Sequence, residues 1–184
     1  MYLQDKIIIR DDDVLLPSSA FEYPLERFKE VHELICKNSL FLHVPAIICS
    51  EIESFSGALE YIQFEMVAGR MNPELHCWKH VDYGKFIEEE LIDDLHRCCE
   101  WFKTKLNKTP TKFFTPWAGT SELIEKTAKQ FSLEVIAGKL NFIEPHKYLD
   151  GRYKLKPGCM IAMHWWKTGD VNKLIKLIDE YKSP

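Results

Sequence analysis

The part of the chain that says most about its architecture is residues 6–13, which read Lys-Ile-Ile-Ile-Arg-Asp-Asp-Asp. A continuous β-branched run is typical of a strand buried on both faces, as in a parallel sheet. Three aspartates, Asp11, Asp12 and Asp13, follow the run and are expected to form a loop. Because functional groups collect at the carboxyl ends of parallel strands, this junction also predicts where a site would lie.

Strand and helix patterns alternate along the rest of the chain. Apolar residues recur every three or four positions between residues 85 and 107, which predicts the longest helix. The alternation predicts an α/β protein with a parallel sheet, in either a closed or distorted barrel or an open doubly wound arrangement. Strands are predicted over 6–10, 40–48, 74–76, 112–115, 134–137 and 159–163, with 152–155 a further candidate, and helices over 24–37, 58–67, 85–107, 121–131 and 170–181.

Composition limits the class of protein. The 184 residues are 46% apolar with a net charge of −4, which is typical of one globular domain spanning 1–184. No basic stripe indicates a nucleic-acid partner, and His43 and Pro45 interrupt the longest apolar run, so no membrane span is predicted. The six cysteines form no C-x-x-C pair and the N-terminus lacks a signal-peptide pattern, so the expected location is the cytoplasm.

Polar and aromatic groups follow four of the predicted strands. Each group alone has an ordinary structural interpretation, such as a solvated turn or a packed aromatic pair. Their convergence on one rim of a parallel sheet is what favours a functional site. The groups are the aspartates 11–13, the histidines and tryptophan of 76–80, Pro116 with Trp117, and His164 with Trp165 and Trp166.

These residue types suit a single catalytic metal ion. His76 and His80, four residues apart, can both reach one ion, and a carboxylate from Asp13 would complete a set of three ligands with an open position. Asp12 would accept a proton from the attacking water, and His164 would protonate a leaving amine. Adjacent side chains of an extended strand point to opposite faces, so the aspartate pair needs a turn to converge.

The same motifs resemble those of the NodB-type polysaccharide deacetylases, carbohydrate esterase family 4, and they occur in the family's order from residue 7 to residue 164. The family motifs T-F-D-D-G, H-x-x-x-H, R-x-P-x-G and L-x-H are similar, respectively, to Asp11-Asp12-Asp13-Val14, to His76 and His80, in part to Phe114-Thr115-Pro116-Trp117-Ala118-Gly119, and to Ala162-Met163-His164.

The resemblance implies a distorted, compact (β/α) barrel that uses a divalent metal, usually zinc, to remove the acetyl group of an N-acetylated sugar or sugar conjugate. It implies Asp12 as general base and His164 as general acid, and a backbone N–H near Trp117 that stabilises the oxyanion. For any single tryptophan, core packing is an equally good interpretation. The implied metal ligands are Asp13, His76 and His80, and the implied sugar contacts are Trp78, Pro116, Trp117 and Trp165.

The chain departs from the family pattern in several places. Phe114 stands where the family has the arginine that holds the base aspartate. The candidates to replace that arginine are Arg10, Lys139 and Arg152, and the sequence selects none of them. Val14 replaces a glycine, one extra residue separates the proline and glycine of the third motif, and residues 139–157 contain no match to the family's Asp/Trp motif.

The missing arginine leaves a second interpretation open. In it, the chain keeps the metal but has lost catalysis and serves as a sugar-binding or regulatory protein of the same fold. Phosphoester hydrolysis by two metals, a third interpretation, lacks the bridging carboxylates that such a site needs. The sequence does not indicate which sugar is bound or what the oligomeric state is.

The remaining histidines receive structural interpretations. His32 and His96 lie on predicted helices among charged residues and are expected to be solvated. His43, in the second predicted strand, is expected to be a satisfied core group. His146 lies in a predicted loop and is a weaker candidate for the rim, since loops often carry functional residues.

Overall fold

The computed structural model describes residues 5–15, 22–137, 148–149, 151 and 154–181. The elements follow the order predicted from the sequence, with one additional short helix at Cys49–Ser54 that the sequence did not predict. The strands are β1 (Ile7–Val14), β2 (Phe41–Ile48), β3 (Glu74–Cys77), β4 (Lys112–Phe114), β5 (Glu134–Ile136) and β6 (Met160–His164). The helices are α1 (Pro24–Cys36), α2 (Cys49–Ser54), α3 (Ala58–Val67), α4 (Glu88–Leu106), α5 (Glu122–Gln130) and α6 (Thr168–Glu180), with short 3₁₀ turns at Tyr83–Lys85 and Pro116–Ala118.

The six strands form one parallel sheet in the order β5-β4-β3-β2-β1-β6. The sheet is curled. The evidence is the contact between β1 and β4, three strands apart: the guanidinium of Arg10 lies 4.4 Å from the ring centre of Phe114. A flat sheet would hold those strands roughly 14 Å apart. The predicted distorted barrel is therefore confirmed in the form of a curled half-barrel, and the open doubly wound alternative is wrong.

β1 is longer than the sequence predicted. The aspartates were expected to form a loop after residue 10, but Asp11 and Asp12 continue the strand and pair with Met163 and His164 of β6. The register against β2 shifts only between Asp11 and Val14. The further strand candidate at 152–155 lies partly outside the described residues, and its described part, 154–155, is not in a strand.

Side chains of β1 and β2 alternate between an inner face and a helix-covered outer face, as the period of a strand requires. On the inner face a small apolar cluster contains Leu42, Val44, Ala46, Phe114 and Ile136, against which Ile8 packs. Arg10 and Asp12 follow Ile8 at two-residue spacing and therefore share this inner face. On the outer face the main core joins the sheet to the helices, and α4 contributes Leu91, Leu95, Cys98, Phe102 and Leu106.

Two broader properties concern the described part of the chain. No helix there is long and apolar enough to cross a lipid bilayer. All six cysteines fall within the described ranges, and all six carry free thiols. Burial raises the pKa of the Cys77 thiol well above its usual value, so this buried cysteine behaves as a small apolar core residue.

The prediction that His32 is solvated is wrong. His32 lies on the face of α1 that packs on β2, and it is completely buried beside His43. Its Nε2 is 3.1 Å from Glu65 Oε2, and Glu65 in turn accepts two hydrogen bonds from Arg70 at 2.6 and 2.7 Å. Buried His32 is therefore hydrogen-bonded to a charged pair, Glu65 and Arg70, and does not face solvent. His96 is exposed, as predicted, and His146 lies outside the described residues.

The two buried histidines form one continuous hydrogen-bonded chain. With both rings neutral, Nε2–H of His32 donates to Glu65, so His32 Nδ1 must accept from Nδ1–H of His43, 2.9 Å away. The other ring nitrogen of His43 lies 3.4 Å from Oδ2 of Asp11. Burial raises the pKa of Asp11 well above its usual value. This outer-face chain is separate from the inner face that carries Asp12.

Candidate metal centre and active site

The aspartate pair converges because the backbone turns at Asp13. Asp13 and Leu15 have φ values of 58° and 59°, in the left-handed region, and they flank Val14, which stands at the family's glycine position. Aspartate enters this region more readily than most residues because its short polar side chain can bond locally. Asp12 and Asp13 consequently line the same cavity, although they are adjacent in the strand.

The three predicted metal ligands lie together. Asp13 Oδ1 is 3.2 Å from His76 Nε2 and 2.9 Å from His80 Nε2. Their ligand atoms all lie within 4.8 Å of one another, and among the described residues this is the only such group of three His, Cys, Asp or Glu residues. Burial raises the pKa of Asp13, but hydrogen bonds and charges from the two histidines outweigh burial and lower it below its usual value.

The second nitrogen of His76 shows that the set fits a metal. Nδ1–H of His76 donates to the backbone carbonyl of Phe114. Nδ1 is thereby occupied, and Nε2, which faces Asp13, is the nitrogen that would bind an ion; this is the arrangement usual for a metal-binding histidine. One carboxylate and two imidazoles beside a cavity fit a divalent metal ion.

The loop after β3 brings His80 back beside His76. At its midpoint the backbone N–H of Trp78 donates to Asp94 at 3.4 Å, and the Trp78 carbonyl accepts from Ser50 at 3.1 Å. The indole ring of Trp78 lies 3.5 Å from the guanidinium of Arg97. Trp78, predicted as a sugar contact, therefore anchors this loop and is not among the residues that line the cavity.

Asp12 lines the same cavity as the three candidate ligands. It is largely buried, and its Oδ1 accepts a hydrogen bond of 2.6 Å from Nε of Arg10. Of the three residues that the sequence offered in place of the family's arginine, Arg10 is the one that the structure describes. Lys139 and Arg152 lie outside the described residues.

His164, at the end of β6, also lines this cavity. Its Nε2 is 3.7 Å from Oδ2 of Asp13, and its Nδ1 is 3.4 Å from Oδ2 of Asp170. Lys167 also approaches Nδ1, at 3.2 Å. The sequence analysis placed Asp170 only at the start of the last predicted helix, but its carboxylate, in the first turn of α6, approaches His164. Burial raises the pKa of Asp170, but the hydrogen bonds from His164 and the charges of His164 and Lys167 together outweigh burial and lower it below its usual value.

Trp165 supports the aspartate turn instead of contacting substrate. It is 0% exposed, its backbone N–H donates to Asp11 Oδ1 at 2.7 Å, and its indole N–H donates to the carbonyl of Asp13 at 2.9 Å. The sequence predicted Trp165 as a sugar contact, but its burial excludes that role. The neighbouring Trp166 lines the cavity in its place, since the strand ends at His164 and the chain turns there.

The cavity in front of these groups measures about 530 Å³. Trp117 forms one wall: it is 72% exposed, its ring centre lies 5.1 Å from that of His80, and its backbone is left-handed at φ 57°. Pro116, before it, is buried and does not line the cavity. A second cavity of about 500 Å³ lies beyond Trp117 and shares only Trp117 and His80 with the first; the first is lined by Arg10, Asp12, Asp13, His76, His80, Thr115, Trp117, His164, Trp166 and Lys167.

Comparison of sequences identifies no relative: no protein-family model matches the chain, and no curated protein matches it. Solved structures do resemble it. A family 4 carbohydrate esterase from Streptomyces lividans in complex with acetate superposes with a TM-score of 0.70 at 13% identity, covering 95% of this chain and 86% of that one. The peptidoglycan deacetylase PdaC from Bacillus subtilis gives a TM-score of 0.65 at 14% identity, over 98% of this chain and 85% of that one.

A family 4 pseudoenzyme from Bacillus anthracis is also similar, with a TM-score of 0.69 at 13% identity over 97% of this chain. The present chain spans only 61% of that protein's length. A mutant of the same pseudoenzyme is described as having restored enzymatic activity. These likenesses show that the chain has the NodB-type fold of the family 4 carbohydrate esterases.

Proposed function

We propose that the chain is a metal-dependent hydrolase that removes the acetyl group from an N-acetylated sugar or sugar conjugate. The observation that carries the proposal is the grouping of Asp13, His76 and His80 in one cavity that Asp12 and His164 also line. The fold of family 4 carbohydrate esterases adds support, since such a site and such a fold point to the same chemistry.

Asp13, His76 and His80 would hold the divalent ion, zinc by the character of the donors. When bound, the ion would polarise the acetyl carbonyl and lower the pKa of water. The remaining steps fall to side chains of the chain. Asp12 accepts the proton of the attacking water, and His164 donates a proton through Nε2 to the departing nitrogen. The C–N bond breaks, acetate forms, and the sugar keeps the amine.

Two features of the cavity suit a sugar. Trp117 and Trp166 present aromatic surface beside the ligands, and the exposed face of Trp117 can stack on a pyranose ring. A backbone N–H near Trp117 would stabilise the oxyanion of the tetrahedral intermediate.

Six free cysteines favour a reducing compartment, and we propose that the protein works in the cytoplasm.

A second candidate function is a sugar-binding or regulatory protein that keeps the metal without turning over. The observation that favours it is Phe114 at the position of the family's arginine, together with a structural neighbour described as a pseudoenzyme. The two candidates share a metal site and differ only in turnover.

The deciding experiment couples metal analysis to acetate release. The zinc-loaded protein is offered N-acetylhexosamines as monomers, short oligomers and conjugates, with a chelator-treated sample as the blank. We expect acetate from the loaded protein only. Stoichiometric zinc without acetate from any substrate would favour the second candidate instead.

Two variants assign the roles. Asp12→Asn is expected to keep zinc and lose turnover, whereas His76→Ala is expected to lose zinc. His96→Ala, at an exposed position of α4, is the matched control and should behave as the native protein. Full turnover by Asp12→Asn would exclude that residue as the base, and stoichiometric zinc in His76→Ala would exclude that residue as a ligand.

A further inference from the structure

We propose that Arg10 is the positioning residue of Asp12: it fixes the carboxylate from within the same strand, supported by the ring of Phe114. The inference rests on the proposed function, because only a hydrolase needs Asp12 as a base. In the family motif an arginine at the position of Phe114 holds the base aspartate. This chain has no charged residue over 114–119, and the proposal assigns that role to Arg10 of β1.

The backbone of β1 sets the distance between the two groups. Residues two apart in a strand point to the same face, so Arg10 and Asp12 both project inwards. Arg10 pairs with Val44 of β2 and with Ala162 of β6, which holds this part of the strand on both sides. The 2.6 Å contact between Arg10 Nε and Asp12 Oδ1 is therefore built on an extended backbone that has little freedom to change.

Phe114 sets the orientation of the guanidinium. The Arg10 guanidinium carbon lies 4.4 Å from the ring centre of Phe114, which is itself fully buried. The face of an aromatic ring attracts a planar cation, and Arg10, only 2% exposed, has little water to compete with this contact. An ammonium lacks the planar shape, so lysine is not an equivalent substitute here.

Charge explains why the pair stays together. A buried cation requires an anionic partner, since charges leave water at a high cost unless they are paired. Asp11 does not face Arg10, because its carboxylate lies on the outer face and accepts from Trp165. Asp12 supplies the negative charge, and Oδ1 is engaged by Arg10 while the carboxylate lines the cavity. One oxygen is thus fixed and the other is left to act on substrate.

Kinetics separate a positioning role from simple core packing. Arg10→Met fills a similar space without the charge; we expect native zinc content, a KM within about twofold of native and a kcat lowered by about 100-fold, of the order given by loss of orientation. Arg10→Lys should lose about tenfold, because charge without planar geometry restores only part of the effect. Native kcat in Arg10→Met would overturn the proposal.

Chemical rescue covers the case in which a variant is merely unstable. Arg10→Ala leaves room beside Phe114, so added ethylguanidine should raise its kcat at least tenfold, while ethylamine at the same concentration should not. Asp12→Asn, which lacks the carboxylate, should not respond to either compound. A kcat that is lost with zinc and is not restored by ethylguanidine would show that Arg10 only packs the core.

A readout without turnover distinguishes this proposal from the proposed function. In the metal-free protein the Nε–H of Arg10 should give a slowly exchanging NMR signal, assigned by its absence in Arg10→Lys, that moves in Asp12→Ala. A signal that is unchanged in Asp12→Ala would overturn the proposal even in an active enzyme. If the native protein releases no acetate but shows the shift, the hydrolase function fails while the Arg10–Asp12 pairing stands.

Discussion

Lowering the pH to 5 is expected to destabilise the fold through two buried histidines. Burial lowers the pKa of His32 to about 4, helped by the charge of His43 and opposed by Glu65, and burial lowers the pKa of His43 to about 3. A histidine in the unfolded chain has a pKa of about 6.5. Between these values the unfolded chain binds protons that the folded chain excludes. The free energy of unfolding therefore falls as the pH decreases below about 6.5.

The size of the effect follows from the pKa values. At pH 5 both folded-state pKa values lie below the pH, so each ring stays neutral in the fold. In the unfolded chain the pH lies about 1.5 units below the histidine pKa, so both rings are protonated. Each unit corresponds to about 1.4 kcal/mol, which gives about 2 kcal/mol for each histidine and about 4 kcal/mol for the pair. Native domains are stable by only about 5–15 kcal/mol, so this loss is large.

The assay is urea unfolding of the metal-free protein at several pH values between 7.5 and 5, compared with the variant His32→Gln/His43→Gln. The native protein should lose about 4 kcal/mol more than the variant over that range. His96→Gln, which removes an exposed histidine, should follow the native protein. Equal losses in the native protein and the double variant would refute the reasoning. The charged and titratable groups that contact or act on the pair include Glu33 and Cys36 from α1, Asp11 from β1, Tyr61 and Glu65 from α3, and Arg70.

Three further changes have defined outcomes. Asp170→Asn should lower kcat for acetate release about tenfold at unchanged KM, because His164 loses the carboxylate at its Nδ1; a native kcat would contradict this. Trp117→Ala should raise KM about tenfold with a smaller change in kcat, since the exposed ring is the wall of the cavity; an unchanged KM would contradict it. Glu74→Ala should lower the free energy of unfolding in urea by about 2–4 kcal/mol, because buried Glu74 accepts hydrogen bonds from three residues of 108–112; a loss below 1 kcal/mol would contradict it.

The order of elements was predictable because the strands are apolar runs and the helices have a strict period. Residues 85–107 show this well: the apolar spacing predicted a helix, and α4 occupies Glu88–Leu106 with that face buried. The rim was predictable for the same reason, since parallel strands bring their carboxyl ends together. Approximate strand ends were enough to group His76, His80 and Asp13, although β1 runs to Val14 and does not end before the aspartates.

What escaped prediction depends on contacts between distant parts of the chain. His32 has charged neighbours in sequence, yet its partners are His43 and Glu65, which come from β2 and α3. Trp165 was placed on the wrong side of its strand end, because the turn after His164 buries it. The sequence could not select Arg10 from the three candidates to replace the family's arginine. Its contact with Phe114 depends on the curl of the sheet, which brings β4 close to β1, and no local sequence pattern encodes that approach.

The charged residues of the cavity and its aromatic wall come from different kinds of structure: a strand inside the sheet and a loop after β4. Residues 10–13 of a single strand hold Arg10, Asp12 and Asp13 as one contiguous block, braced by neighbouring strands on both sides. The loop after β4 carries no charged side chain over 115–120 and contributes the exposed Trp117 to the cavity. That loop is therefore a suitable place for combinatorial replacement: under the proposed function, libraries at 115–120 should alter which sugar is accepted and leave the charged residues of β1 unchanged.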